Sequence, residues 1–153
     1  MSVPSTVASL IQANAAALDA LDFDGWLAGF TEYAQYHITT AENQRQGLPL
    51  GLLHALTKDQ LRDRIASIST VNVYEPHRYR HVLSQTWIKG QGLEMQFITP
   101  FAVYRITETK PTILFATGEY QDRVEYAHDG VRFMHRTVVL DNDIIDTLLA
   151  IPL

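Results

Sequence analysis

A chain of 153 residues is the size of one domain, and at that size roughly 68–70% of the unfolded surface is buried on folding, enough for a core without staples. The apolar fraction of 46% fits an ordinary globular protein, and a net charge of −5 with no basic tract argues against a nucleic-acid partner, because nothing is present to displace counterions from phosphates. There is no cysteine, which excludes disulfides, thiolate zinc sites and cysteine-held iron–sulfur clusters.

The opening MSVPSTVASLIQANAAAL lacks the basic start and long apolar stretch of a signal peptide. No run reaches the ~20 apolar residues of a membrane span, so a soluble cytoplasmic chain is expected. From Thr6, apolar residues at Val7, Leu10, Ile11, Leu18 and Leu21 fall near helical spacing, with Ser5 or Thr6 as the N-cap. Asp22 is placed to cap a second, short helix carrying Trp26, Leu27 and Phe30. TEYAQYHITTAENQ breaks the helical pattern and reads as a strand entering a polar loop. TKDQLRDRIASI is the clearest helix. Thr57 and Gln60 make a capping box, Leu61, Ile65 and Ile68 form an inward stripe, and Asp59, Arg62, Asp63 and Arg64 a solvated face.

After Val73 the pattern changes to strands. RHVLSQTWIKG, LEMQFITPFAVYRIT, TILFATGEYQDRVEY and VRFMHRTVVLD are long, rich in β-branched and aromatic residues, and separated by turn residues. KGQG and HDG read as hairpin turns. Pro100 cannot donate to a ladder, so it marks an edge, a bulge or a bend. Helices followed by a run of long antiparallel strands predict one α+β domain over residues 1–153, its bent sheet curling round the N-terminal helices.

EPHRYRH concentrates polar chemistry in one short stretch. On a helix His77 and His81 would share a face and could hold one metal ion. Val82, Leu83, Thr86, Trp87 and Ile88 favour a strand instead, in which the two histidines lie roughly 13 Å apart at about 3.3 Å per residue. The stretch is therefore read as a polar surface, with Arg78, Arg80 and His81 as candidate interface residues whose guanidinium forks meet carboxylates or carbonyls. There is no glycine-rich phosphate loop, HExxH or nucleophile elbow. His37, His54, His128 and His135 read as surface or hydrogen-bonded residues. No catalytic, cofactor-binding or metal-binding residue is assigned.

Two structural expectations complete the residue-level reading. In TILFATGEYQDRVEY the even positions Leu114, Ala116, Tyr120, Val124 and Tyr126 make an apolar face, and Asp122 sits among them. A carboxylate there needs a partner. With HDG as a three-residue hairpin loop, Asp122 falls opposite Arg136, and a structural ion pair is predicted. A two-residue loop would spoil that match. The apolar end DTLLAIPL, with Leu149, Ile151 and Leu153, is expected to dock on the chain's own sheet or on a neighbour.

EPHRYRHVL, FATGEYQDRV and RTVVLDNDIIDTLLAIPL, together with LDFDGWLAGFTEYAQYHIT and DQLRDRIASI, resemble the small (beta) subunits of aromatic-ring-hydroxylating dioxygenases over nearly the whole chain. The pattern is most similar to those acting on aromatic carboxylates, of the terephthalate type. The resemblance implies the cone-shaped α+β fold of the nuclear transport factor 2, ketosteroid isomerase and cystatin-like group. It implies a structural role beside a large (alpha) subunit, as three large plus three small chains, with a small subunit able to trimerise alone. It places a Rieske two-iron cluster and a mononuclear iron in that large subunit and no cofactor in this chain, within an oxidoreductase of aromatic hydrocarbon catabolism.

The absence of cysteine agrees independently, because a Rieske centre needs two. Two other readings stay open at this level. A stand-alone isomerase or dehydratase of the same cone would use an internal Asp, His or Tyr, such as His37 with Tyr33 or Tyr36, or Asp122 with Tyr120. A stand-alone binding module is the third.

Overall fold

The computed structural model describes residues 1–48, 51–70, 77–142 and 152–153. Among the described residues four helices and seven strands follow in order: α1 Ser5–Asp19, α2 Phe23–Ala28, β1 Phe30–Thr40, α3 Ala41–Arg45, β2 Leu53–Ala55, α4 Lys58–Thr70, β3 Arg78–Leu83, β4 Trp87–Lys89, β5 Gln96–Ile106, β6 Ile113–Ala127 and β7 Gly130–Leu140. The strands form one curved sheet in the order β2-β1-β7-β6-β5-β3, and β4 also pairs with β5. Every described pair is antiparallel except β1 with β7, which run parallel. Among the described residues no helix is long and apolar enough to cross a membrane.

The helix starts follow local chemistry in part. Asp22 caps α2 by accepting from the Gly25 N–H at 2.9 Å. Thr57 accepts from the Gln60 N–H at 3.2 Å, and the Gln60 side chain returns to the Leu56 N–H at 2.7 Å, so the expected box at α4 closes one residue early. α1 starts without a side-chain cap: Pro4 holds the N-cap position and Ser5 is already helical. The stretch expected as a polar loop after β1 winds into α3, capped by Thr40 through the Asn43 N–H at 3.1 Å.

The core lies between the helices and the concave face of the sheet. Val7, Ile11 and Leu18 of α1, Trp26 of α2, Phe30, Tyr36 and Ile38 of β1, Leu61 of α4, Tyr79 of β3, Val103 of β5, Tyr120 of β6 and Phe133 and Val138 of β7 join in one buried cluster. Trp26, Phe30 and Tyr36 meet edge-on, with ring centroids 4.9–6.0 Å apart.

RHVLSQTWIKG is not one strand but two. β3 and β4 both pair with β5, and Ser84–Thr86 breaks between them. The cause lies on β5. Pro100 points its carbonyl at this gap, where it accepts from the Ser84 N–H at 2.9 Å, and it has no N–H to hold a continuous neighbour there. The KGQG turn is likewise longer than a tight hairpin, because a 3₁₀ turn at Gly92–Glu94 intervenes before β5.

Candidate functional site

Two regions hold the chain's polar chemistry. One is the sheet edge at β3, and the other is the buried interior. Along β3, side chains alternate between solvent and core. Arg78, Arg80 and Val82 face outward. Tyr79 and His81 face inward. Arg80 stands beside Tyr104 of β5, and Tyr104 beside Leu114 of β6, giving an outward row across three strands. Val82, Tyr104 and Leu114 are all exposed. Among the described residues neither Arg78 nor Arg80 makes an ion pair within the chain.

His81 does not belong to that surface, contrary to the expectation from the sequence. Its side chain is 1% exposed and turned to the end of α1. The Asp19 carboxylate accepts the His81 backbone N–H with both oxygens, at 3.1 and 3.0 Å, and meets His81 Nδ1 at 2.6 Å. Asp19 is the last residue of α1, where a negative charge opposes the helix dipole. The imidazole and amide of β3 supply the compensation. His77 and His81 flank Tyr79 on one face of β3, with Tyr79 between the two rings, so they do not form a ligand pair. No group of three or more potential metal-ligating residues is assembled among the described residues.

Leu153, a candidate either for docking on the chain's own sheet or for an interface, takes the first place. It is 0% exposed within the chain's own core, and its carbonyl accepts from the Tyr36 hydroxyl. Leu149 and Ile151 lie outside the described residues, as do Glu75 and Pro76.

In the interior, β6 and β7 place Asp122 opposite Arg136. Both are 0% exposed. Arg136 Nε donates to Asp122 Oδ1 at 2.8 Å and one terminal nitrogen donates to Oδ2 at 2.9 Å, a forked pair. The other terminal nitrogen donates to Asn14 Oδ1 at 3.0 Å, and Asn14 in turn donates to the Trp26 carbonyl at 2.9 Å. The guanidinium lies against the rings of Tyr120 and Phe133, 3.9 and 4.1 Å from their centroids.

The route to this pairing differs from the one expected. The turn uses two residues, His128 and Asp129, so Ala127 pairs with Gly130. The register from that end would leave Asp122 opposite His135, one residue short of Arg136. A bulge at Met134, between Val124↔Phe133 and Arg123↔His135, adds the missing residue on β7 and restores the match. A second irregularity, between Val103 and Tyr104 on the β5 ladder, puts Leu114 outside, while Phe115 stacks on Tyr79 at 5.5 Å.

The electrostatics follow from burial. Burial raises the Asp122 carboxyl, working against the charge and hydrogen bonds of Arg136. Burial works to lower Arg136, and Asp122 more than offsets it, so the guanidinium stays charged. Burial also raises the Tyr36 and Tyr120 phenols, which remain protonated and neutral. A general base needs a free lone pair aimed at substrate. Asp122 instead spends both oxygens on Arg136 and is fully buried.

The sequence pattern of the family described as Ring hydroxylating beta subunit matches residues 13–147. The chain belongs to that family. The beta 1 subunit of the terminal oxygenase component of terephthalate 1,2-dioxygenase from Comamonas sp is 36% identical over 148 residues, covering 96% of each chain. The small subunit of anthranilate 1,2-dioxygenase from Burkholderia cepacia is 34% identical, covering 89% of this chain and 85% of its own. A solved beta subunit from Novosphingobium aromaticivorans, assigned to an aromatic-ring-hydroxylating dioxygenase, superposes with a TM-score of 0.86 at 27% identity, covering 97% of this chain and 95% of that one.

These relatives are components of oxidoreductases. The Rieske cluster expected in such an enzyme does not fit this beta subunit, which has no cysteine to hold it. Sequence reasoning missed the Asp19–His81 joint, because nothing periodic links two residues so far apart in the chain.

Proposed function

We propose that this chain, as a single domain over residues 1–153, is the non-catalytic small subunit of a Rieske-type dioxygenase that cis-dihydroxylates an aromatic carboxylate. It frames a large subunit that holds both iron sites and the substrate pocket, in an assembly of three large and three small chains in the cytoplasm, and it forms a trimer when alone. The observation that carries this reading is the plugged interior. Where an isomerase or dehydratase of this shape needs an accessible acid or base, the Asp122–Arg136 pair is fully engaged and closed off by Tyr120, Phe133 and Asn14. The terephthalate and anthranilate relatives, both named for aromatic carboxylates, support the substrate class. The outward row of Arg78, Arg80, Val82, Tyr104 and Leu114 supports an assembly surface, since it joins unpaired arginines to exposed apolar area.

The test is co-expression with the large subunit. The expected result is a complex with equal numbers of both chains, iron that co-purifies, and dihydroxylation of aromatic carboxylates. The small chain purified alone is expected to hold no iron and to show no oxygen-dependent turnover. Stoichiometric, chelator-resistant iron on the isolated chain would overturn the assignment.

A further inference from the structure

Three histidines share the convex face of the sheet, on the far side from the interior pair. His37 of β1 stands opposite His54 of β2, their ring centroids 4.6 Å apart. His135 of β7 pairs with Gln35, two residues along β1 from His37 and on the same face. β2 is a short edge strand attached through Tyr36↔Ala55, His37↔His54 and Ile38↔Leu53, with the Leu52 N–H donating to the Ile38 carbonyl at 2.7 Å. The chain entering β2 presses on the same imidazole. A Cβ on Gly51 would stand 2.3 Å from His37 Nε2 and 2.4 Å from the Ile38 carbonyl oxygen. His37 Nε2 is buried and has no hydrogen-bond partner among the described residues.

We propose that this cluster is an acid-sensitive latch: neutral histidines hold β2 on the sheet edge, and their protonation releases it. A proton on His37 Nε2 would create a buried cationic N–H with no acceptor among the described residues, against the ring of His54. The charged groups on this face do little to relieve it. Arg123 and Glu125 of β6 line one hollow with His135; Arg123, its register partner, opposes its protonation, and Asp122 works the other way to a smaller extent. Glu119 of β6 accepts from Gln121, and Glu42 and Arg45 of α3 are paired with each other.

The sign follows from the same neighbours. Burial first, then His54 and His135, holds His37 below the ordinary histidine value of 6.5. Burial first, then Arg123, holds His135 below it, against Asp122. An opened β2 edge uncovers His37 and returns it toward the ordinary value, whereas Arg123 keeps its place beside His135. As pH falls through about 6.5 the open state therefore takes up protons that the closed state refuses, and closure weakens until the depressed folded values are reached. Above that window the latch has its full strength. Release would uncover the N–H and C=O groups of β1, a bare edge able to pair with another strand.

Hydrogen exchange on the full chain, read by mass spectrometry at about pH 7.5 and about pH 5.5 and corrected for intrinsic rates, tests the proposal. Protection of residues 52–55 is expected to fall severalfold at the lower pH, below the ceiling of about tenfold that one group can give one pH unit under its ordinary value. Protection of β6 and β7 is expected to hold. His54→Gln, at an exposed position, should flatten the response, and His37→Gln should do the same from the other side of the pair. No loss of protection in the wild-type chain, an equal loss in both variants, or a loss spread evenly over the sheet would each overturn the latch.

Discussion

The guanidinium of Arg136 is held in register by Asp122, by Asn14 and by two aromatic rings, yet the magnitudes say this network does not stabilise the fold in the simple sense. Desolvating both charges cancels most of their attraction, and an apolar pair of equal volume would serve as well or better. What the network does is make its own disruption costly. Asp122→Asn or Arg136→Met is each expected to destabilise by about 3–5 kcal/mol, since each leaves a buried group stranded. The double variant should cost less than the two single effects added. Urea denaturation of the four proteins in the cycle checks this, and simple additivity would show that the two groups act separately. A smaller effect is expected at the α1–β3 joint. Asp19→Ala removes the acceptor for the His81 amide and imidazole, at about 1–3 kcal/mol, and Asp19→Asn should recover part of the loss because it keeps an oxygen for the amide. The Asp122 pairing was legible in the sequence because alternation marks one carboxylate on an apolar face. The Asp19–His81 contact was not, because α1 and β3 meet only through the tertiary fold.

At the level of elements, turns and bulges decide which side chains face the core. The β6–β7 turn and the Met134 bulge each shift the register by one residue, and their effects cancel at Asp122. Only the alternation is written in local sequence. The bulge is a response to sheet curvature, which no short stretch encodes. Gly118 is a second product of that curvature. A Cβ there would stand 2.2 Å from the Val139 carbonyl oxygen and 3.1 Å from the Leu140 Cα, both backbone atoms that cannot swing aside. Gly118→Ala is therefore expected to lower stability by about 1–3 kcal/mol, the usual cost of overpacking. A melting temperature equal to wild type would mean that the two strands separate more easily than their pairing suggests. The helix caps show the same division. Asp22 and Thr57 act where the sequence placed them, because capping is a contact over three residues. The break between β3 and β4 was hidden, because its cause, Pro100, lies on the neighbouring strand.

For the molecule as a whole, the balance of exposed groups points outward at one edge. Replacing Arg78 and Arg80 together by Ala is expected to weaken assembly with the large subunit by about tenfold or more, while the melting temperature of the small chain alone stays near wild type, as solvated positions allow. Size-exclusion and pull-down titrations measure the first, and calorimetry the second. Unchanged assembly would move the interface elsewhere. The fold class was legible from helices followed by strands, and the exclusion of a cysteine-held cluster from the missing cysteines. The parallel β1–β7 pair was not, since strand direction depends on how the two ends of the sheet come together.

That parallel pair also orders events in time. Phe30 and Tyr36 of the first strand find Phe133 and Arg136 of the last, so β1 leaves the ribosome long before its neighbour exists. Until β7 arrives, β1 has only the short β2 and the nearby helices to lean on. Closing so long a loop comes at an entropic cost that local hairpins avoid. The β5–β6–β7 meander is then expected to form the folding nucleus, with the seam closing after the rate-limiting barrier. Kinetically, Ile38→Val on the seam should speed unfolding and leave refolding almost unchanged, whereas Val124→Ala in the meander should slow refolding. In this protein the first strand to be synthesised is the last to be placed.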